Sequence, residues 1–171
     1  MPGVAGRIGG AFAGYSLQCE FHGGLIEGRF GGAIIGKDVR VDLEGDPEGH
    51  RWRMEGRYGG SVDGKDIVVE VGNNRLEGRI GGDVIGWDVH LQQEGDGIFG
   101  RIGGPTIGFD ADLSYDEHTG TLTGRFGGRF EGKDASLTLD SGFPVLAAAV
   151  LAAAVVFQLH EEAAASSGSH G

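Results

Sequence analysis

Six copies of a five-residue motif, Gly-Arg-(Ile, Phe or Tyr)-Gly-Gly, begin at Gly6, Gly28, Gly56, Gly78, Gly100 and Gly124. The steps between them are 22, 28, 22, 22 and 24 residues. Self-similarity at a period of this size means one small supersecondary unit copied in tandem, each copy burying its apolar face against its neighbours. Such architectures present surfaces and spacers. A catalytic site needs unlike residues converging on one point, which near-identical units do not supply.

One copy read residue by residue shows what the unit is. From Leu76, the residues Leu76, Gly78, Ile80, Gly82 and Val84 share one parity, while Glu77, Arg79, Gly81 and Asp83 share the other. That is the two-residue alternation of a strand. The other copies follow it with Val4, Ile8 and Phe12; Ile26, Phe30 and Ile34; Met54, Tyr58 and Val62; Ile98, Ile102 and Thr106; Leu122, Phe126 and Phe130. A short segment centred on Gly36, Gly64, Gly86, Gly108 or Gly132 follows, which predicts a hairpin turn whose glycine takes positive φ. A second alternating run comes next, such as Val39, Val41 and Leu43 or Ala135, Leu137 and Leu139. Each unit therefore reads as a β-hairpin, giving an all-β region over residues 1–140 built as an antiparallel meander of six hairpins.

Pairing Val84 with Val89 predicts the cross-strand partners of the repeated arginine. Arg79 then faces Glu94, Arg29 faces Glu44, Arg101 faces Asp116 and Arg125 faces Asp140, while Arg57 meets Gly72 and Arg7 meets His22. Opposite charges directly across a strand pair contribute about 0.2–1 kcal/mol each. The six arginines are accordingly read as structural residues that set register on the surface, in preference to an anion-binding role.

Glycine fills 36 of 171 positions, about three times its usual ~7% share, yet apolar residues still make up 39% of the chain, enough for a core. A net charge of −11 argues against nucleic acid, whose phosphates demand a basic stripe. Cys19 is the one cysteine, so no disulfide forms within the chain. The start, Met1-Pro-Gly-Val-Ala-Gly-Arg, has neither a basic n-region nor an apolar h-region, so the expected location is cytoplasmic.

The composition changes after Asp140. Pro144 suits the first turn of a helix, and Val145 to Leu159 carry no charge. Residues 141–160 are expected to form an apolar helix and residues 161–171 a polar, disordered tail. The large side chains scatter around the whole helix, and a helix that is apolar all round is buried in protein or in lipid. Fifteen residues span about 22 Å, short of the ~30 Å hydrocarbon core. Small residues such as Ala148 and Ala152 allow close helix approach. The preferred reading is self-association or membrane contact through Val145, Leu146, Ala148, Val150, Leu151, Ala152, Val155, Val156 and Phe157. The alternative is a helix packed on the chain's own sheet.

Twelve strands with one apolar face need a closure or a partner. Eight already enclose a space that side chains just fill, so a round twelve-stranded barrel is expected to be hollow. A flattened sandwich, or hairpins lying on partner subunits, is favoured over a wrapped solenoid. His22, His50 and His118 hold equivalent positions before their motifs, but neighbouring copies of a meander lie about 10 Å apart, too far to share a metal. The aspartates Asp38, Asp66, Asp88, Asp110 and Asp134 read as turn-ending residues. Trp52 and Trp87 sit on different copies and form no aromatic platform. No nucleophile–base set, phosphate loop or Cys-x-x-Cys is present, so no cofactor, metal or enzymatic activity is expected.

Through Leu76-Glu-Gly-Arg-Ile80 and its evenly placed glycines, the unit resembles the MORN class of 23-residue β-hairpin repeats. The whole layout, a repetitive region followed by an apolar helix, resembles the small scaffold subunit of actinobacterial uptake [NiFe] hydrogenases. That resemblance implies helices that oligomerise toward a membrane while the remainder holds enzyme subunits. The function expected is a non-enzymatic scaffold that organises partner proteins through its β-repeats and, through its C-terminal helix, assembles as a homo-oligomer or anchors the complex at the cytoplasmic face of the cell membrane. The alternative is a stand-alone β-repeat binding module recognising a ligand on its sheet face. A ligand site should break the repeat symmetry in one unit, whereas a scaffold should not.

Overall fold

The structure, a computed structural model, describes residues 1–10, 14–32, 36–49, 51–60, 64–82, 84–104, 106–127 and 132–168. Among these the chain forms twelve strands and one helix. The strands pair off as β1 (Gly3–Ile8) with β2 (Tyr15–His22), β3 (Leu25–Gly31) with β4 (Gly36–Gly45), and β5 (Arg51–Tyr58) with β6 (Lys65–Gly72). They continue with β7 (Arg75–Gly81) and β8 (Gly86–Glu94), β9 (Gly97–Gly103) and β10 (Gly108–Asp116), and β11 (Thr121–Gly127) and β12 (Gly132–Leu139). The helix α1 runs over Val145–Gly168. The expected antiparallel meander followed by an apolar helix is thus the fold observed.

The meander closes. β1 pairs antiparallel with β12 through Val4↔Leu139 to Ile8↔Ala135, completing a twelve-stranded barrel with no free edge. This corrects the expectation of a flattened sandwich or a partner-covered sheet. A hollow lumen is the objection to a barrel of this size, and here the lumen is filled by α1. Residues Ala147 to Phe157 are buried to 1% exposure or less, on every face of the helix. Twelve strands about 4.8 Å apart and tilted about 40° make a cylinder about 12 Å in radius. A helix about 10–12 Å across then leaves about 6 Å all round, one layer of side chains. That layer comes from the alternating positions predicted to face inward, including Ile8, Ile26, Val41, Met54, Ile67, Ile80, Val89, Ile98, Leu122 and Leu137.

The motif's first glycine faces inward too, and it is there for curvature. A Cβ on Gly28 would lie 2.0 Å from the Gln18 carbonyl oxygen, and one on Gly78 2.1 Å from that of Val68. The backbone of each odd-numbered strand is pressed against its neighbour at this level. Glycine kinks repeated around a sheet are a means of bending it shut.

The hairpin ends lie elsewhere than expected. β7 and β8 close at Gly81↔Gly86, and Gly82 N–H donates to the Ile85 carbonyl at 2.7 Å. Gly81 takes the positive φ, +99°, that was expected at Gly86. The Gly-Gly pair therefore ends a strand, and Val84, expected inside one, is 95% exposed on the loop. Thr106 is likewise exposed on the loop between β9 and β10. The corresponding expectations for Phe12, Ile34, Val62 and Phe130 lie outside the described residues.

At the entry end Asp140 accepts from Gly3 N–H through Oδ2 at 2.9 Å and donates its own N–H to the Gly3 carbonyl at 2.8 Å. Phe143 caps that end against Phe21, ring centroids 6.3 Å apart. At the exit end α1 continues as helix through Glu161 and Glu162 to Gly168, beyond the expected boundary at residue 160. Ala163–Ala165 favour helix intrinsically, and Glu162 is held by its neighbours, as described next.

Candidate functional site

The six motif arginines lie on the outer wall. Each faces the residue six positions earlier than expected, because the loops are phased three residues earlier. Arg29 faces Asp38, Arg57 faces Asp66, Arg79 faces Asp88, Arg101 faces Asp110 and Arg125 faces Asp134, at nitrogen–oxygen distances of 3.6, 2.6, 2.8, 3.8 and 2.9 Å. Arg7 faces Ser16 and donates to its Oγ at 3.3 Å. These arginines also hold the loops, as Arg79 Nε donates to the Gly82 carbonyl at 3.0 Å and Arg7 to those of Gly10 and Gly14. The aspartates read as turn-ending residues are thus the cross-strand partners of five of the six arginines.

The barrel mouth where α1 emerges is a second constellation. At its rim the six hairpins present Tyr15, Lys37, Lys65, Trp87, Phe109 and Lys133 at equivalent positions of their second strands. Trp87 packs edge-on against Phe157, centroids 5.2 Å apart, and also against His160 at 5.2 Å. Tyr58 donates to Gln158 Oε1 at 3.1 Å, Gln158 Nε2 donates to Glu162 at 3.0 Å, and Tyr15 donates to the other oxygen of Glu162. Burial first, then the bond to Glu162 and its charge, push the Tyr15 phenol up to about 12. Burial chiefly raises the Tyr58 phenol as well. This polar chain latches the helix in the lumen.

The third constellation is on the outer wall of β7–β10. Open grooves lie beside two of the inward-bent glycines, one of about 650 Å³ beside Gly100 and one of about 590 Å³ beside Gly28. Their linings differ. The residue preceding the motif glycine is Ala5, Glu27, Glu55, Glu77, Phe99 or Thr123 along the six copies. Phe99 alone is aromatic, and it is 45% exposed. The Cε2–Cζ edge of its ring reaches Gly97, where a Cβ would come within 2.6 Å of both atoms. Gly97 stands in the column where the third and fourth copies carry Arg53 and Arg75. Glycine at position 97 thus leaves room for the Phe99 ring to lean along the strand.

Polar side chains surround that ring. Gln92 and Asp112 flank Phe99 in register on β8 and β10, and Arg101 stands beside Asp110 and opposite His90. Gln92 Nε2 donates to Glu94 Oε1 at 2.7 Å, and His90 Nδ1 sits 3.8 Å from Glu77.

The other candidates fall elsewhere. His22 and His118 are exposed at separate turns between hairpins, His50 lies outside the described residues, and among the described residues no cluster of three His, Cys, Asp or Glu could hold a metal ion. Trp52 and Trp87 face the lumen. Cys19 is buried there, and burial pushes its thiol up to about 12. Phe99 escapes any reading that treats the copies as alike, although the column containing it is readable.

Comparison with known family models, curated proteins and solved structures finds no match for this chain, and nothing in it identifies a MORN repeat or a hydrogenase scaffold.

Proposed function

We propose that this protein is a non-enzymatic binding module whose outer sheet face takes a ligand at the Phe99 groove. One observation carries the reading, the break in repeat symmetry that places an exposed aromatic beside Gly97 and the groove in a single copy. Among the described residues Phe99 is the large apolar side chain exposed on the strand wall, and it borders an open groove, as a ligand contact would. The filled lumen supports the outer wall as the place of binding. The test is a two-dimensional NMR titration of the full chain against a mixed panel of sugars, nucleotides and short peptides. Ligand-induced shifts concentrated at residues 90–92 and 97–101 are expected. Shifts confined to other surfaces would overturn the assignment.

A second reading, the scaffold, is favoured by a different observation. Val84, Ile85 and Ile107 are exposed at 95%, 53% and 51% on two adjacent loops at the exit end. On this reading the loop tips dock a partner protein or the cytoplasmic face of a membrane. The helix would have no direct part in it. Although Val145–Ser166 has the length and apolar character of a membrane span, its core residues Ala147 to Phe157 are covered by the barrel. Light scattering after gel filtration tests it: a homo-oligomer dispersed by Val84→Asp with Ile107→Asp supports docking through the tips, and a monomer at all concentrations opposes self-assembly.

A further inference from the structure

A binding module at this wall leaves the ligand open, and the chemistry of the groove narrows it. Resting on that reading, we infer that the groove beside Gly100 binds a neutral carbohydrate, one sugar ring stacked by its C–H face on Phe99 with its hydroxyls held by the side chains around it. Four properties point to this class. The aromatic is single and 45% exposed on the wall, so it offers one apolar surface on which a ring can rest and cannot enclose an apolar molecule. The flanking groups are planar donors and acceptors: the Gln92 amide, the Asp112 and Glu94 carboxylates, and the Arg75 and Arg101 guanidiniums. Such groups satisfy hydroxyls, which both donate and accept.

The charge balance opposes other classes. Arg75 and Arg101 face three carboxylates lining the same groove, Glu77, Glu94 and Asp110, in a chain of net charge −11. Phosphates and acidic polymers are disfavoured there. Finally, the groove is open along the wall instead of forming a closed pit, so a chain of sugars can pass through it. The groove beside Gly28 is an internal control of nearly the same size. There Glu27 occupies the position of Phe99 and is paired with Arg40 at 2.6 Å. It has polar groups but no platform, and it should not bind.

The experiment uses the full chain and four neutral probes, cellotetraose, maltotetraose, mannotetraose and chitotetraose, followed by NMR and calorimetry. At least one probe is expected to bind at about 1 mM, the range of a shallow site that buries one ring face, with shifts at residues 90–92 and 97–101. Phe99→Glu, the residue of the control groove, should weaken that binding about tenfold or more. Because Phe99 is exposed, the variant should keep the wild-type spectrum elsewhere. Equal binding by wild type and Phe99→Glu overturns the inference. If nucleotides or peptides instead give shifts at the groove that Phe99→Glu removes, the carbohydrate class is overturned and the binding module stands. If no probe of any class shifts the groove, both fall.

Discussion

Trp87 on β8 and Phe157 on α1 meet edge-to-face, with ring centroids 5.2 Å apart and planes inclined at 74°. One comes from the fourth hairpin and the other from the last turns of the buried helix, so the contact registers whether the helix is seated. Phe157→Ala removes the helix side of it in a fully buried position, and large-to-small changes of this kind cost about 3–5 kcal/mol. We expect urea unfolding, followed by Trp fluorescence, to report a loss of that size.

A chain ending at Asp140 should not form a soluble barrel. Without α1 the inward side chains of twelve strands line a void about 10 Å wide, which water or collapse must fill. This reverses what an assembly helix implies, namely that its removal leaves a soluble domain. Leu151→Lys tests the same point by burying an unpaired charge, since Leu151 is 1% exposed. Circular dichroism and dye binding should show both chains to be unfolded or aggregated; a truncated chain with native thermal cooperativity would contradict the filled-barrel account.

The motif's two invariant leading positions, glycine and arginine, should differ sharply in consequence. Arg79→Ala breaks a surface pair whose partners are 34% and 58% exposed, worth at most about 1 kcal/mol. Gly78→Val places a Cβ 2.1 Å from the Val68 carbonyl oxygen, forcing two strands apart. Denaturant titration should rank the glycine change well above the arginine change.

Alkaline pH should loosen the fold. Cys19 is raised from 9.0 to about 12 and Tyr15 from 10.0 to about 12 by folding. Between the unfolded and folded values the native state binds more protons than the unfolded state, so stability falls as pH rises. The contribution of both groups is fully present below pH 9 and is lost toward pH 12. Midpoints of urea unfolding measured at intervals across that window should decline, and less steeply in Tyr15→Phe. A thiol reagent should reach Cys19 only in denaturant.

Alternation alone makes the inward residues legible: Ile80, Val89 and their counterparts are the barrel lining. The hairpin phase is not legible in the same way, because Ile80, Gly82 and Val84 keep one parity while the chain has already turned at Gly81. Only the backbone angle there separates strand from loop. The destination of α1 is equally hidden, since an all-round apolar helix satisfies lipid, a bundle or a barrel lumen alike. Phe99 stands in plain view as the one aromatic in its column, but its significance depends on Gly97 leaving the ring room to lean along the strand.

The pairing of β1 with β12 also bears on the order of events. A helix settles more readily on an open concave sheet than into a shut cylinder, so we expect α1 to lie against the sheet before Val4 meets Leu139. Both the segment that fills the centre and the strand that closes the wall follow the other eleven strands in the chain, so the ribosome makes them after these. Until then the first strand has only β2 beside it, and about 130 residues separate its closing partners, a loop that is slow to shut. Eleven of the strand pairings join neighbours close by in the chain, whereas the closing pair must wait for the last strand, and a chain held short of closure exposes its lining residues.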